Sequence, residues 1–240
     1  MVAIAGRRIG RPRAGGALTN TLIRVSRIHH PLTALGPGRR LGIWLQGCSL
    51  HCNGCISRDT WDPIAADRMN VDDLVTECVS ILAKDATLSG LTVSGGEPFE
   101  QDAALHELLA GVRAATTSRE LAVDILVYSG LSWSRLQREH QQVLGLVDAV
   151  IPEPFVARHA PGARWRGSAN QSLRLLTSLG RERFAPDSVA GEDGGSLPFQ
   201  VVVEDGRMWT VGVPRPDDLD RLVELARRRG VKVGQLSWRS

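Results

Sequence analysis

The chain has 240 residues, of which 42% are hydrophobic and 23% charged, the balance of an ordinary folded protein rather than a disordered or membrane-embedded one. Its 29 basic and 26 acidic residues leave a net charge of +3, too small an excess to argue for nucleic acid as a partner. No apolar run reaches the about 18 residues of a membrane span, so no membrane partner is expected. The basic opening MVAIAGRRIGRPRAGG lacks the apolar segment of a secretory signal, and residues 1–20 read as a flexible basic tail.

In chain order, TLIRVSRIHH alternates as a short strand does. TALGPGRR is a turn-rich loop leading into a second strand, LGIWLQ. Cys48, Cys52 and Cys55 begin where that strand ends. Asn70 is a candidate cap for a helix whose apolar positions Leu74, Val75, Cys78, Ile81 and Leu82 recur at helical spacing, which turns Cys78 into the core. A short buried strand, LTVS, opens into GGEPF before a second helix carrying Leu105, Leu108, Leu109 and Val112. The pattern repeats with the strand LAVDILVYSG, a weaker helix from Trp133 to Leu144, and the strand LVDAVI. A Pro- and Arg-rich loop, PEPFVARHAPGARWRG, leads to SANQSLRLLTSL, which reads as a helix capped by Ser168. GRERFAPDSVAGEDGGSLP is a polar excursion expected to be mobile. FQVVV, the tight turn EDGR and MWTVGV form a hairpin, followed by an amphipathic helix from Asp217 to Arg229 and a last strand candidate, VKVGQL. Alternating strand and helix imply βαβ units, a mostly parallel sheet, and functional loops at the C-terminal ends of its strands. One α/β domain over residues 21–240 is the economical reading.

The cysteines are clustered rather than spread as pairs. In a chain without a secretory signal this favours metal binding and a reducing, cytoplasmic compartment over a disulfide framework. A structural zinc site takes four ligands, commonly as two distant pairs, and no second pair exists here. His51 is a conceivable fourth ligand, although a closed site on so short a loop would be strained. Iron–sulfur cubanes normally take a cysteine at every iron, so three thiols leave one iron open. An open position is what a catalytic metal keeps and a structural one closes.

The C-x3-C-x2-C spacing of GCSLHCNGC at a strand end, with SGGEP at Ser94 to Pro98, resembles the radical S-adenosylmethionine enzymes. ALGPGRR, Asn53-Gly54-Cys55, Thr60-Trp61-Asp62-Pro63 and WRGSANQ from Trp165 to Gln171 narrow the resemblance to small activating enzymes of glycyl radical enzymes. Within these, the activators of anaerobic ribonucleotide reductase are more similar than those of pyruvate formate-lyase, because Gly54 precedes the last cysteine. The resemblance covers patches of residues 22 to 175, with the core motifs in 36–175. Where the activases read Asp-Gly-Pro-Phe after the fourth strand, this chain has Pro152-Glu153-Pro154-Phe155.

The resemblance implies a partial (β/α)6 TIM-like barrel and a [4Fe-4S] cluster on Cys48, Cys52 and Cys55. It further implies S-adenosyl-L-methionine chelated at the free iron, and a reducing electron donor of the flavodoxin or ferredoxin type. Reductive cleavage of S-adenosylmethionine would give a 5′-deoxyadenosyl radical that abstracts hydrogen. Gly54, Cys55 and Ile56 would lie against the adenine, and Ser94, Gly95, Gly96 and Glu97 would receive the methionine end. Tyr128 and Ser129 would line the ribose side, and Glu153 would supply a residual carboxylate for the ligand's ammonium. No catalytic residue beyond the cluster ligands is expected.

Each has a plain structural alternative. Glu97 can cap the following helix, Tyr128 can be a sheet residue, Glu153 a solvated charge, and Trp61 and Trp165 packing anchors. His29 and His30 are expected at the surface. With no spare domain and no cysteines for a second cluster, the expected substrate is a protein or peptide partner, as for a glycyl radical activase. The alternatives are modification of a peptide or small metabolite in a biosynthetic pathway, and a non-catalytic metal-binding regulatory module.

Overall fold

The computed structural model describes residues 20–185, 199–204, 207–215 and 217–231. Residues 1–19, most of the polar excursion and nearly all of the last strand candidate lie outside the described residues.

Strands β1 (Leu22–Leu32), β2 (Arg39–Leu45), β3 (Arg68–Asn70), β4 (Leu88–Gly95), β5 (Asp124–Tyr128), β6 (Ala149–Ile151) and β7 (Arg174–Leu175) form one sheet in the order β3-β1-β2-β4-β5-β6-β7. β2, β4, β5 and β6 run parallel, whereas β1, β3 and β7 pair antiparallel with their neighbours. The expected α/β architecture is present, with four parallel strands among the described residues instead of six repeated units. The turn-rich loop before Arg39 folds β2 back on β1, which makes that pair antiparallel.

Helix α1 (Val71–Lys84) connects β3 to β4 and helix α2 (Asp102–Thr117) connects β4 to β5. Asn70 caps α1 as expected, its side chain accepting from the Asp72 amide. Both helices lie on one sheet face. There Leu41, Ile43, Leu45, Leu91, Val93, Ile125 and Val127 pack with Leu74, Cys78, Leu105, Leu108 and Val112 in one continuous core. Burial drives the Cys78 thiol's pKa far up, as for an inert core residue. The weaker helix divides at His140 into α3 (Trp133–Glu139) and α4 (Gln141–Leu144).

The segment from Ser168 to Leu179 departs from the expected helix. Ser168 Oγ accepts from the Val156 amide, and the chain runs extended through β7 to helix α5 (Ser178–Arg183), capped by Thr177. Leu173 and Leu175 pack with Trp165 and Phe184, whereas Leu176 packs into the main core. That alternation has the strand period of two, which the sequence hid among three closely spaced leucines. Asp148 anchors the turn: it takes Thr177 Oγ1 at 2.5 Å and the Ile125 amide at 2.7 Å, and pairs with Arg113.

The hairpin β8 (Phe199–Glu204) and β9 (Arg207–Gly212) and the helix α6 (Asp218–Arg228) follow. The hairpin docks on the sheet's other face, where Trp209 and Val211 meet Leu32, Leu35 and Trp44. His29 is half-buried against Trp209 rather than a surface residue, with ring centroids 4.8 Å apart. Among the described residues no helix is long and apolar enough to cross a membrane.

Candidate functional site

The four parallel strands end along one edge of the sheet, and the loop after each is hydrogen-bonded to the next. Gly47, two residues beyond β2, gives its carbonyl to the Glu97 amide at 2.8 Å, and the Gly96 amide donates to Leu45 O at 2.8 Å. The Glu97 carboxylate then accepts from Ser129 Oγ at 2.9 Å and the Gly130 amide at 2.6 Å. The Glu153 amide donates to Leu131 O at 2.9 Å, and the Glu153 carboxylate accepts from the Trp133 amide at 2.9 Å. Gln171 and Asn170 side-chain amides close the series on the carbonyls of Glu153 and Pro154. The structure thus brings together the cysteine loop, Ser94 to Glu97, Ser129 and Glu153, which are far apart in the sequence.

Cys48, Cys52 and Cys55 are reduced and partly exposed on the loop after β2. The loop is clasped at its base, where Gly47 N donates to Thr60 O at 2.8 Å and Cys48 N to Trp61 O at 3.0 Å. Gln46 Nε2 crosses beneath to the carbonyls of Asp59 and Asp62. Glu100 binds the Ser49 amide and hydroxyl at 2.8 and 2.5 Å. Burial pushes the Cys48 thiol up to about 11 and raises that of Cys55. His51 has a positive φ of 45° and stacks its ring on Trp61 at 4.6 Å.

Gly95 and Gly96 are needed for a reason the sequence did not show. A Cβ on Gly96 would lie 2.1 Å from Gly47 O, and one on Gly95, whose φ is 112°, would lie 2.4 Å from Leu45 backbone atoms. The close approach they permit is of one strand-end loop to another.

Glu97 is buried, and loss of solvent raises its carboxyl to about 7 against the pull of its three hydrogen-bond donors, Gly130, Phe99 and Ser129. It also caps the short 3-10 turn Pro98–Gln101, so the capping alternative describes its side chain. Tyr128 donates to Trp165 O at 2.9 Å, in the loop after β6. Gly54 is exposed on the cysteine loop and Ile56 is half-buried, and the space above Gly54 is bounded by Phe155 and Ala157 at 3.3 Å from a hypothetical Cβ.

Glu153 has φ 83°, a left-handed conformation that costs a residue other than glycine about 1–2 kcal/mol. The departure from Asp-Gly-Pro-Phe thus puts Glu at the glycine position while the backbone keeps a glycine's conformation. Its carboxylate accepts from the first amide of α3, the helix that Ser132 caps, in place of standing free in solvent.

Gln46, Ser49 and Glu100 were not singled out as site residues by sequence reasoning, and Gln171 was named only as the end of WRGSANQ. Gln46 and Ser49, which flank Gly47-Cys48, carried a positional signal, and Glu100 carried none.

The donor set fits an iron–sulfur cluster. Three half-exposed thiols share one clasped loop. Thiols spread along a loop suit a cluster in which each meets its own iron.

A mostly parallel sheet thus carries three thiols on one strand-end loop, with Gly95-Gly96 braced against it. Residues 34–174, more than half of the chain, match the 4Fe-4S single cluster domain family. The chain belongs to that family. It is 28% identical over 155 residues to the anaerobic ribonucleoside-triphosphate reductase-activating protein of Vibrio cholerae, covering 62% of this chain and 96% of the relative. Its counterpart from Haemophilus influenzae is 31% identical over 142 residues, covering 58% and 88%. That of Escherichia coli K12 is 27% identical over 147 residues, covering 59% and 91%. This chain is an enzyme of the radical S-adenosylmethionine class, with a [4Fe-4S] cluster and S-adenosyl-L-methionine as cofactors.

Proposed function

We propose that this chain activates an anaerobic ribonucleoside-triphosphate reductase by removing a hydrogen atom from a glycine of that partner. The observation that carries the reading is the hydrogen-bonded succession of strand-end loops around three thiols, on a chain whose relatives bear that partner in their names. The bound cluster and S-adenosylmethionine supply one-electron C–S cleavage and hydrogen abstraction.

The chain's own residues bind and orient. Cys48, Cys52 and Cys55 hold the cluster. Main-chain groups of Gly54 and Ile56 take the adenine, and those of Ser94 to Gly96 the methionine end. Glu97, Ser129, Tyr128 and Glu153 have their polar atoms engaged by other loops, and serve as braces that hold those main-chain groups still. The sheet and its helices act as an incomplete barrel, open at the strand ends to a large substrate. A flavodoxin- or ferredoxin-type donor and a reducing cytoplasm complete the setting.

The test is anaerobic reconstitution with dithionite and S-adenosylmethionine, alone and with the reductase. The expected results are 5′-deoxyadenosine and a glycyl radical signal on the reductase by electron paramagnetic resonance, both abolished in Cys52→Ala. Cleavage without a radical on the reductase would point to a peptide or metabolite substrate. Absence of acid-labile sulfide, with one zinc bound, would point to a metal-binding regulatory module.

A further inference from the structure

The cysteine loop is held by more than its own clasp. Arg27 on β1 places Nη2 3.3 Å from Asp59 Oδ2, in the 3-10 turn Arg58–Thr60 that leads from Cys55 back to the base of the loop. Asp59 stands at the head of the contacts that close that base: its carbonyl and that of Asp62 accept Gln46 Nε2, Thr60 O accepts the Gly47 amide, and Trp61 O accepts the Cys48 amide. On its other side the Arg27 guanidinium lies 4.5 Å from the Trp209 ring centroid. Side-chain exposure is only 12% for Arg27 and 20% for Asp59, so both contacts are shielded from solvent, where ion pairs and cation–π contacts keep more of their strength.

Trp209 is neutral and belongs to β9, beyond residue 174 where the family match ends. It is fixed independently by His29 at 4.8 Å and Trp44 at 6.5 Å. Gln200 on the paired strand β8 is bonded to Pro31 O at 2.9 Å and to the Thr33 amide at 3.2 Å. A rigid aromatic surface on the appended hairpin thus orients the cation that orients the turn after Cys55.

We propose that Arg27 is a positioning residue for the cluster-bearing loop, and that Trp209 of the C-terminal hairpin sets it in place. The proposal rests on the reading that Cys48, Cys52 and Cys55 hold the cluster. Removing Trp209 changes no charge near the thiols, so any change in the cluster reports the loop's geometry.

The experiment compares reconstituted wild type, W209A, W209F, R27K and D59N, together with the W209A/D59N double variant. The readouts are the rate of iron release to a chelator and the electron paramagnetic resonance line shape of the reduced cluster. Loss of a shielded cation–π contact predicts release roughly two- to five-fold faster in W209A, with an altered line shape, and near wild-type behaviour in W209F. R27K keeps the charge but loses the planar stack, and should fall between wild type and W209A. In the D59N background the W209A substitution should add little, because the route to the loop is already cut.

Equal release and line shape in wild type and W209A would overturn the proposal, as would full additivity in the double variant. Failure of wild type to assemble a cluster, or assembly that survives Cys52→Ala, would instead overturn the reading on which the proposal rests. If W209A does not fold, the W209F and R27K comparison with D59N decides the same question.

Discussion

The two faces of the main sheet are built from the same strands, one wholly apolar at its centre and the other holding a buried polar group among apolar clusters. Toward α1 and α2 every central position is apolar, from Leu41 and Ile43 through Leu91 and Val93 to Ile125 and Val127. On the opposite face Arg40, Thr92 and Asp124 form a buried polar group between Trp44 and Tyr128 on one side and the apolar cluster of Leu126, Ala149 and Ile151 on the other. The first face tolerates exchange among hydrophobes of similar volume, because its attraction is non-directional. The polar group on the second is specified atom by atom, because each buried polar atom needs its partner.

Arg40 is the strongest case. It is fully buried, and its three nitrogens reach Thr92 Oγ1 at 2.7 Å, Pro37 O at 3.2 Å, Leu91 O at 2.9 Å and both Asp124 oxygens at 3.1 and 2.6 Å. Gly90 makes the room, since a Cβ there would lie 2.2 Å from Arg40 Nη1. Asp124→Ala is expected to cost about 3–5 kcal/mol, because it leaves a buried guanidinium without its counter-charge. The double variant R40M/D124L should regain most of that loss, since replacing both charges by apolar groups is often neutral or better. Urea unfolding of the three proteins measures both effects. A loss below about 1 kcal/mol in Asp124→Ala would mean that water reaches the pair, and the contrast between the faces would fail.

On the helical face Leu108→Ala should cost about 3 kcal/mol, set by the cavity left in a core that collapses only in part. Leu108→Met should cost under about 1.5 kcal/mol. The same unfolding measurement checks it. Equal penalties for Ala and Met would show that this face too is specified by shape rather than by apolar volume.

The difference between the faces also explains what could be read in advance. Helices α1 and α2 and strands β2, β4 and β5 announce themselves through period and apolar composition, and Asn70 through its position before a periodic run. The three cysteines and Gly95-Gly96 stand out because their residue types are rare or conformationally special. Partnerships do not announce themselves. Nothing adjacent to Arg40 names Asp124, 84 residues away, and nothing near Asp59 names Arg27 or Trp209. Glu97 and Glu153 were legible as acids near the site, but not that their carboxylates would be taken up by Gly130 and Trp133. The strand at Arg174–Leu175 was lost because its two-residue period is too short to outweigh a run of helix-forming residues.

The hairpin offers a finer test of the polar face, through His29. Its imidazole is lowered from 6.5 to about 4, chiefly by burial and then by the nearby charges of His30 and Arg27, with the Pro31 backbone opposing. The neutral ring also suits Gln200, whose Nε2 lies 3.4 Å from His29 Nε2 and can donate only to an unprotonated nitrogen. A base whose folded pKa is depressed takes up its proton more readily when the structure opens. Its packing stability is therefore intact above about pH 6.5 and is lost progressively as the pH falls toward 4. This effect should be smaller than either substitution above, because His29 is only half-buried and its neighbours can admit water. His29→Phe keeps an aromatic edge against Trp209 and cannot ionise. The wild-type melting temperature should accordingly fall more steeply than the variant's between pH 6.5 and 5, with the two curves parallel above pH 7. Parallel curves over the whole range would show that the hairpin does not hold the ring neutral. Steepening confined to the variant would show that Gln200, rather than His29, sets the polarity of that contact.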